Sequence, residues 1–170
     1  MDKKEKQKGL NPIQTLVLHI IIIVLIVWLM FGFVLGVKYA PNDDMSPNIK
    51  SGDMIMYYRL STDYKAQDVV ILRKNDTEYV CRIVAGPGDV VEVTESEELL
   101  INGNVVTERN IYTSTPMYEG YVNYPVHLGD NEFFVLADQR DGGEDSRYFG
   151  SVNKSDIKGK SLMIIRRNGI

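Results

Sequence analysis

The stretch from Asn42 to Asp53 reads NDDMSPNIKSGD, and it stands between a long apolar segment and the run MIMYYR. Asn, Asp, Ser, Pro and Gly are the residues that turns prefer, whereas aromatic and β-branched residues favour strands. The stretch therefore predicts a loop that leads into a strand at Met54–Arg59.

The chain after Pro41 repeats this alternation of short extended runs and turn residues, with GPGD at 86–89 and NGN at 102–104. No helical periodicity follows the apolar segment, so we predict an all-β fold, a barrel-like set of packed antiparallel sheets. Residues 107–126 lack clear alternation and predict an irregular surface excursion of the kind that often has a binding role. The predicted strands are Met54–Arg59, Asp68–Arg73, Glu78–Ala85, Val90–Thr94, Leu99–Ile101, Val105–Val106, Glu132–Ala137 and Ser161–Arg167.

Residues 13–37 are almost wholly apolar. As a helix they would reach roughly 37 Å, enough to cross a hydrocarbon core of about 30 Å. The residues that follow offer a poor small-x-small cleavage site, so we predict a retained transmembrane anchor. Residues 1–12 carry four lysines, and the positive-inside bias places this tail in the cytoplasm and the β domain, residues 38–170, outside the cell.

Charge and cysteine content argue against a nucleic-acid partner, an internal disulfide and a multi-cysteine zinc site. Without the four lysines and two acidic residues of 1–12, the totals of 19 basic and 23 acidic residues fall to 15 and 21, which argues against nucleic acid. The single cysteine, Cys81, excludes an internal disulfide and a multi-cysteine zinc site. We expect no metal and no cofactor, and the oligomeric state stays open.

Four stretches resemble, in order and separation, the boxes of bacterial type I signal peptidases of the small Gram-positive type. The stretch 42–53 is similar to Ser-Met-x-Pro-Thr-Leu-x-x-Gly-Asp, and residues 67–72 to the Gly-Asp-hydrophobic strand. Residues 81–89 are similar to Lys-Arg-Val-x-Gly-x-Pro-Gly-Asp, and 137–150 to Gly-Asp-Asn-Arg-x-x-Ser-x-Asp-Ser-Arg-x-Phe-Gly. The resemblance implies a signal-peptidase-like β domain behind one membrane helix. It also implies a structural motif made of Asp138, Arg140, Asp145, Ser146 and Arg147.

The positions that carry catalysis in this family differ here. The family cleaves with a Ser–Lys dyad, in which a lysine kept neutral by burial takes the proton of the serine hydroxyl. By register, Asp44 stands at the serine, Cys81 at the lysine, and Gly143 at a second serine that orients the lysine. The resemblance therefore implies a kept fold and a lost peptidase activity.

Two unconventional catalytic arrangements stay open. Asp44 could act as a carboxylate nucleophile or share a proton with Asp43 or Asp138, as in aspartic proteases. Cys81 could act as a nucleophile if His127, the only histidine after the anchor, met it. Either arrangement would make the chain an active peptidase with an unusual site.

A third alternative concerns the membrane helix. Gly32 and Gly36 form a small-xxx-small step that lets another helix approach closely. Through this step the chain could regulate an active signal peptidase.

A non-catalytic domain of this kind is similar to the signal-peptidase-like accessory proteins of Gram-positive pilus clusters, which have aspartate at the serine position and support pilin polymerisation by sortase. The resemblance implies an accessory or chaperone role, with the membrane and an exported protein such as a pilin, a sortase or both as partners.

The family's cleft takes its substrate as an added strand, a mode that gives affinity without catalysis. The charge of Asp44 would favour a basic or amide-bearing group. We expect an apolar rim near lipid at Met45, Ile49, Met54 and Met56, although the last two suit an ordinary core equally well. The expected binding residues are Asn42, Asp44, Met45, Ser46, Pro47 and Cys81.

Overall fold

The computed structural model describes residues 11–108, 111 and 113–167. It begins with an apolar helix, α1 (Pro12–Leu29), which continues as a π-helical turn, Met30–Val34. Asn11 caps the helix, because its side chain accepts a hydrogen bond from the Gln14 N–H at 2.8 Å and the Gln14 side chain accepts one from the Asn11 N–H. By length and composition, the 23 residues Pro12–Val34 suffice to cross a membrane. The predicted apolar helix is confirmed.

The remainder of the chain forms two antiparallel sheets, which confirms the all-β class. The larger sheet has the strand order β1-β2-β11-β3-β4-β9-β10, and the smaller has the order β7-β6-β5-β8. A short helix, α2 (Ser146–Phe149), follows β9. The strands are β1 (Leu35–Tyr39), β2 (Met54–Tyr58), β3 (Val69–Lys74), β4 (Thr77–Ala85), β5 (Val90–Val93), β6 (Leu99–Ile101), β7 (Asn104–Val105), β8 (Val126–His127), β9 (Glu132–Leu136), β10 (Val152–Asn153) and β11 (Ile157–Ile165).

The start of the β domain differs from the sequence reading. Residues Leu35–Val37, at the end of the apolar stretch, belong to β1 and pair with β2. Their apolar side chains suit a strand as well as a membrane helix, so composition alone does not separate the two. Gly36 faces the ring of Tyr57, which occupies the space that a Cβ atom would need. The small residue at this position therefore lets a buried tyrosine pack on β1.

The middle of the larger sheet is covered on both faces, and strand alternation assigns residues to each. On one face Val70, Leu72 and Cys81 pack with Val135. On the other, Ile55 and Ile71 pack against the loop 42–53 through Met45 and Ile49. A third cluster joins the two sheets, with Phe134 and Leu136 of β9 against Val91 and Leu99 of the smaller sheet. The loop 42–53 is therefore part of the core.

The described part of the excursion 107–126 is irregular, as predicted, but it is firmly attached. Arg140 is 1% exposed, and its Nε donates to the Ala137 carbonyl at 2.8 Å while Nη1 donates to Thr115 Oγ1 at 2.7 Å. Its Nη2 forms an ion pair with Glu108. The Tyr118 hydroxyl donates to the Arg140 carbonyl at 3.0 Å. One buried guanidinium thus joins the excursion to the segment after β9.

We predict that Arg140→Gln lowers the free energy of unfolding by about 3–5 kcal/mol, because it leaves the Glu108 carboxylate buried without its cation. Urea denaturation of the detergent-solubilised chain measures this change, and limited proteolysis should cut within 107–126 sooner. Arg73→Gln is the control, because Arg73 pairs with the exposed Asp76 at the surface. Equal stability of the two variants would show that the excursion does not depend on Arg140.

Candidate functional site

The loop 42–53 is closed by its own hydrogen bonds. The Ser46 N–H donates to the Asp43 carbonyl at 2.8 Å, and the Ser51 N–H donates to Asp43 Oδ1 at 2.8 Å. At the far end, Asp53 accepts the Lys50 N–H at 2.9 Å. These bonds hold Asp44 at the exposed start of a fixed loop.

Asp44 lies half-buried against the segment after β9. The Gln139 N–H donates to the Asp44 carbonyl at 2.8 Å, and Asn42 Nδ2 donates to Asp44 Oδ2 at 2.7 Å. Burial raises the pKa of the Asp44 carboxyl above its usual value; the bond from Asn42 opposes the shift, and the charge of Glu144 adds to it. The main-chain bond from Gln139 joins the two segments directly, so no added strand fits between them at this point.

Cys81 lies beneath this carboxylate in β4 and is 1% exposed. Burial raises the pKa of its thiol well above the usual value, and the charges of Asp145, Asp44 and Asp138 raise it further. A thiol in this setting stays neutral at physiological pH. It can act neither as a base for a nearby group nor as a thiolate nucleophile.

Gly143 is buried where the backbone passes close to the end of β9. A Cβ atom at this position would lie 2.5 Å from Ala137 Cβ and 2.6 Å from the Gln139 carbonyl oxygen. Both distances are shorter than van der Waals contact, and one partner is backbone. The position expected to match the supporting serine therefore has no room for any side chain.

Two buried carboxylates, Asp138 and Asp145, lie near Ala137 and accept hydrogen bonds from the surrounding segments. Asp138 accepts Arg82 Nε at 2.7 Å, Arg82 Nη2 at 2.6 Å and Asn48 Nδ2 at 2.8 Å. Asp145 accepts the Ala137 N–H at 2.9 Å and Arg147 Nη2 at 2.7 Å. Arg82, Asn48 and Arg147 come from three of the sequence boxes, so these bonds tie the boxes to one another.

Ser146 and Arg147 complete this arrangement. The Ser146 hydroxyl accepts the Val135 N–H at 3.0 Å, and Arg147 Nη1 donates to the Pro116 carbonyl at 3.1 Å. The Arg147 guanidinium also lies 4.4 Å from the centre of the Tyr118 ring. The five residues expected to form a structural motif, including Arg140, are all buried.

The expected binding residues separate into two groups. Asn42 and Pro47 are exposed, whereas Asp44 and Ser46 are half-buried. Met45 is 2% exposed and Cys81 is 1% exposed, so neither side chain is available at the surface. Met45 faces inward because it seats the loop on the sheet.

The unconventional pairs of Asp44 with Asp138 and of Cys81 with His127 are not assembled. The Asp138 oxygens are held by Arg82 and Asn48, so Asp138 has no free edge to share a proton with Asp44. The charged groups that act on Cys81 are carboxylates and Arg147. His127 lies exposed on β8 of the other sheet. Within the described residues, no group of three or more His, Cys, Asp or Glu side chains is placed to hold a metal ion.

Sequence reasoning missed Glu144 and Tyr79. Glu144 repels Asp44, and its Oε2 accepts a hydrogen bond from the Tyr79 hydroxyl at 3.4 Å. Tyr79 is two residues before Cys81, on the same face of β4 by strand alternation. The spacing to Cys81 could therefore have indicated Tyr79. Glu144 falls at a variable position of the motif, where no residue type is expected.

Comparison with known proteins gives one family. The family model "Signal peptidase, peptidase S26" matches residues 13–166. The chain is 29% identical over 156 residues to signal peptidase I S of Bacillus subtilis strain 168, with 85% of the chain and 84% of the relative covered. It is 27% identical over 153 residues to an inactive signal peptidase IA of Staphylococcus aureus strain COL, with 84% and 85% covered.

In two further matches, the aligned region covers different shares of this chain and of the matched protein. The chain spans 63% of the length of a probable signal peptidase I-2 of Synechocystis, at 27% identity over 142 residues and 77% of the chain. A crystal structure of a signal peptidase I from Enterococcus faecalis V583 aligns with a TM-score of 0.47 at 24% identity, over 60% of this chain and 98% of that one.

We predict that Gly143→Ser destabilises the protein by about 1–3 kcal/mol or more, because the added atoms overlap Ala137 and the Gln139 backbone. Thermal unfolding in detergent measures the loss. Gly86→Ala is the matched control, because a Cβ there meets only Phe133, at 3.7 Å. A Gly143→Ser variant as stable as the control would mean that the segment moves freely, and that the supporting serine can be restored.

We predict that Asp44→Asn raises the thermal midpoint at neutral pH and has less effect near pH 4. The folded state raises the pKa of Asp44, so folding favours the protonated carboxyl. The wild-type chain therefore loses stability as pH rises through the interval between the unfolded and folded pKa values, and the loss is complete above the folded value. Asparagine lacks the charge and does not titrate. The measurement is the difference in midpoint between variant and wild type from pH 3.5 to pH 7.5. A difference that is flat or that shrinks with rising pH would contradict the raised pKa.

Proposed function

Because the chain belongs to the signal peptidase family S26, and because a buried neutral thiol stands where that family needs a lysine base, we propose that it is a membrane-anchored member that does not cleave peptides. Instead it binds an exported protein during Gram-positive pilus assembly. The observation that carries the proposal is the Cys81 site, since the residue at the position of the lysine base is a buried, neutral thiol.

The neighbouring positions support the loss of peptidase activity. Asp44 is a carboxylate, which is a weak attacker of a peptide bond, and its own pKa is raised by burial. Gly143 leaves no space for the serine that would orient a lysine. An inactive signal peptidase IA among the relatives also supports it, because the family includes members named as inactive.

The apolar helix Pro12–Val34 supports membrane anchoring. We place the lysine-rich tail in the cytoplasm and the β domain outside the cell, by the positive-inside bias. This side of the membrane is where exported proteins emerge, and where a non-catalytic homologue would meet a pilin or a sortase.

The binding surface that we assign is the rim around Asp44. Asn42 and Pro47 are exposed beside it, and Glu144 adds a second negative charge. Two carboxylates without a neighbouring lysine attract a cationic or amide-bearing group. A basic segment of a pilin or sortase fits this chemistry.

Regulation of an active signal peptidase through Gly32 and Gly36 has weaker support. Gly36 is a strand residue that packs on Tyr57, so only Gly32 remains available for a helix contact. Replacing Gly32 alone by leucine tests that role without damaging the β domain.

We predict that the purified full-length chain does not cleave a preprotein that the Bacillus subtilis relative cleaves, and that it binds a pilin or a sortase in nanodiscs. Asp44→Lys should weaken this binding by tenfold or more, because it removes one partly buried charge pair between the two proteins. Asp76→Lys is the matched control, because Asp76 is an exposed aspartate in the turn between β3 and β4.

Three outcomes separate the alternatives. Cleavage abolished by Asp44→Ala or by Cys81→Ser would establish an unconventional peptidase and refute the proposal. Absence of cleavage with no binding to either partner would keep the pseudoenzyme and refute the pilus role. Equal weakening by the two lysine substitutions would place the contact away from Asp44.

A further inference from the structure

Three tyrosines form a row of ring contacts. The ring centres of Tyr118 and Tyr148 are 4.5 Å apart, and those of Tyr148 and Tyr121 are 4.6 Å apart. Tyr118 and Tyr121 belong to the excursion 107–126, and Tyr148 belongs to α2. We call Tyr118, Tyr148 and Tyr121 the tyrosine ladder.

The inner end of the ladder is held in place. The Tyr118 hydroxyl donates to the Arg140 carbonyl at 3.0 Å and accepts the Gly142 N–H at 3.0 Å. The guanidinium of Arg147, which is paired with the buried Asp145, lies 4.4 Å from the centre of the same ring. Tyr118 therefore already holds one cation against its ring, and it cannot turn away without losing these bonds.

The outer end of the ladder is open to solvent. Tyr121 is 60% exposed, whereas Tyr118 and Tyr148 are half-buried. A tyrosine supplies a large contact area at a low cost in conformational entropy, which is why this residue is common where proteins contact a partner. A row of packed rings that ends in an exposed one is therefore suited to receive a partner's side chain.

The charge of this part of the chain is strongly negative. Residues 107–153 include eight acidic residues, three arginines and no lysine. Arg140 and Arg147 are buried in ion pairs, and Arg109 lies outside the described residues. The exposed charges described in this stretch are therefore carboxylates, which favour a partner of positive charge.

Two of these carboxylates stand next to the ladder in the chain. Glu119 follows Tyr118, and Asp141 precedes the glycine whose N–H donates to the Tyr118 hydroxyl; both carboxylates are exposed. The face of an aromatic ring carries partial negative charge and attracts cations. Rings and carboxylates together therefore favour a lysine ammonium or an arginine guanidinium over an uncharged apolar group.

We propose that the tyrosine ladder binds a lysine or arginine side chain of an extended peptide segment, with the cation against the exposed ring of Tyr121. Glu119 and Asp141 attract the same charge from beside the ring. The ligand class is a cationic peptide segment. For the source of that segment, an exported partner protein, the inference rests on the proposed function.

The tyrosine ladder adjoins the rim around Asp44. The Gln139 N–H donates to the Asp44 carbonyl, and the Gly142 N–H donates to the Tyr118 hydroxyl. Because Gln139 and Gly142 are three residues apart, they lie within about 11 Å of each other. A short basic segment of one partner therefore reaches both surfaces.

The test titrates the full-length chain, in nanodiscs of phosphatidylcholine, into a fluorescein-labelled peptide of alternating lysine and glycine. Fluorescence anisotropy reports binding, and empty discs give the blank. The zwitterionic lipid offers the peptide no net charge to bind. A second peptide has norleucine in place of lysine, which keeps the alkyl chain and removes the charge. The lysine peptide should bind, and the norleucine peptide should not.

Substitutions at the ladder separate the ring from its apolar area. Tyr121→Leu should weaken binding of the lysine peptide by roughly two- to fivefold, the size of a cation–π contact at an exposed site. Tyr121→Phe keeps the ring and should bind as the wild type does. Tyr39→Leu is the matched control, because Tyr39 on β1 is 64% exposed, and it should have no effect.

A second variant tests the charge and leaves the rings in place. Glu119→Gln with Asp141→Asn should weaken binding of the lysine peptide by roughly two- to fivefold at low salt, the size of one or two exposed charge contacts. Thermal unfolding of each variant in detergent shows whether a lost signal comes from unfolding.

Several results would overturn the proposal. Equal binding of the norleucine peptide would show an apolar contact, and an unchanged affinity in Tyr121→Leu would place the peptide elsewhere. Weakening by Asp44→Asn without weakening by Tyr121→Leu would place the cation at the rim around Asp44. Failure of the ladder appears in this peptide titration, whereas failure of the pilus role appears only with a pilin or a sortase, so the two are distinguishable.

Discussion

The structure depends most on two buried carboxylates, Asp138 and Asp145, at the end of β9. Each is bound by an arginine in a place that water does not reach, and each also accepts bonds from neighbouring loops. Removal of one partner would leave an uncompensated charge inside the protein, which costs several kcal/mol. This constraint explains the two aspartates and the arginine, Arg147, of the last sequence box.

The catalytic positions lie outside that constraint. Neither Asp44 nor Cys81 forms an ion pair among the described residues, and Gly143 contributes only backbone. Substitution at these positions therefore removes none of the ion pairs. Gly143 also lies close to the Gln139 backbone, so a serine fits at position 143 only if the backbone moves. The packing around this position therefore favours glycine.

The sequence predicted strands well where one face of a strand is buried, because apolar and polar residues then alternate along the chain. It failed in two specific ways. Met45 and Ile49 were expected at an apolar rim, yet they seat the loop in the core, whereas Met54 and Met56 take the exposed face. Methionine and isoleucine suit both environments, so residue type alone does not separate them. Glu144 and the Gly143 contact arise from backbone geometry, which no residue pattern records.

The loop 42–53 links the site around Asp44 to the end of the larger sheet. Its start carries Asp44, and its end carries Asp53, which accepts the Arg167 N–H at 3.0 Å. The bond between Ser51 and Asp43 closes the loop, so its ends cannot move independently. The loop would therefore present Asp44 to a partner in a fixed orientation on the β domain. Such an arrangement favours binding, because a site that is already oriented loses less entropy when its partner arrives.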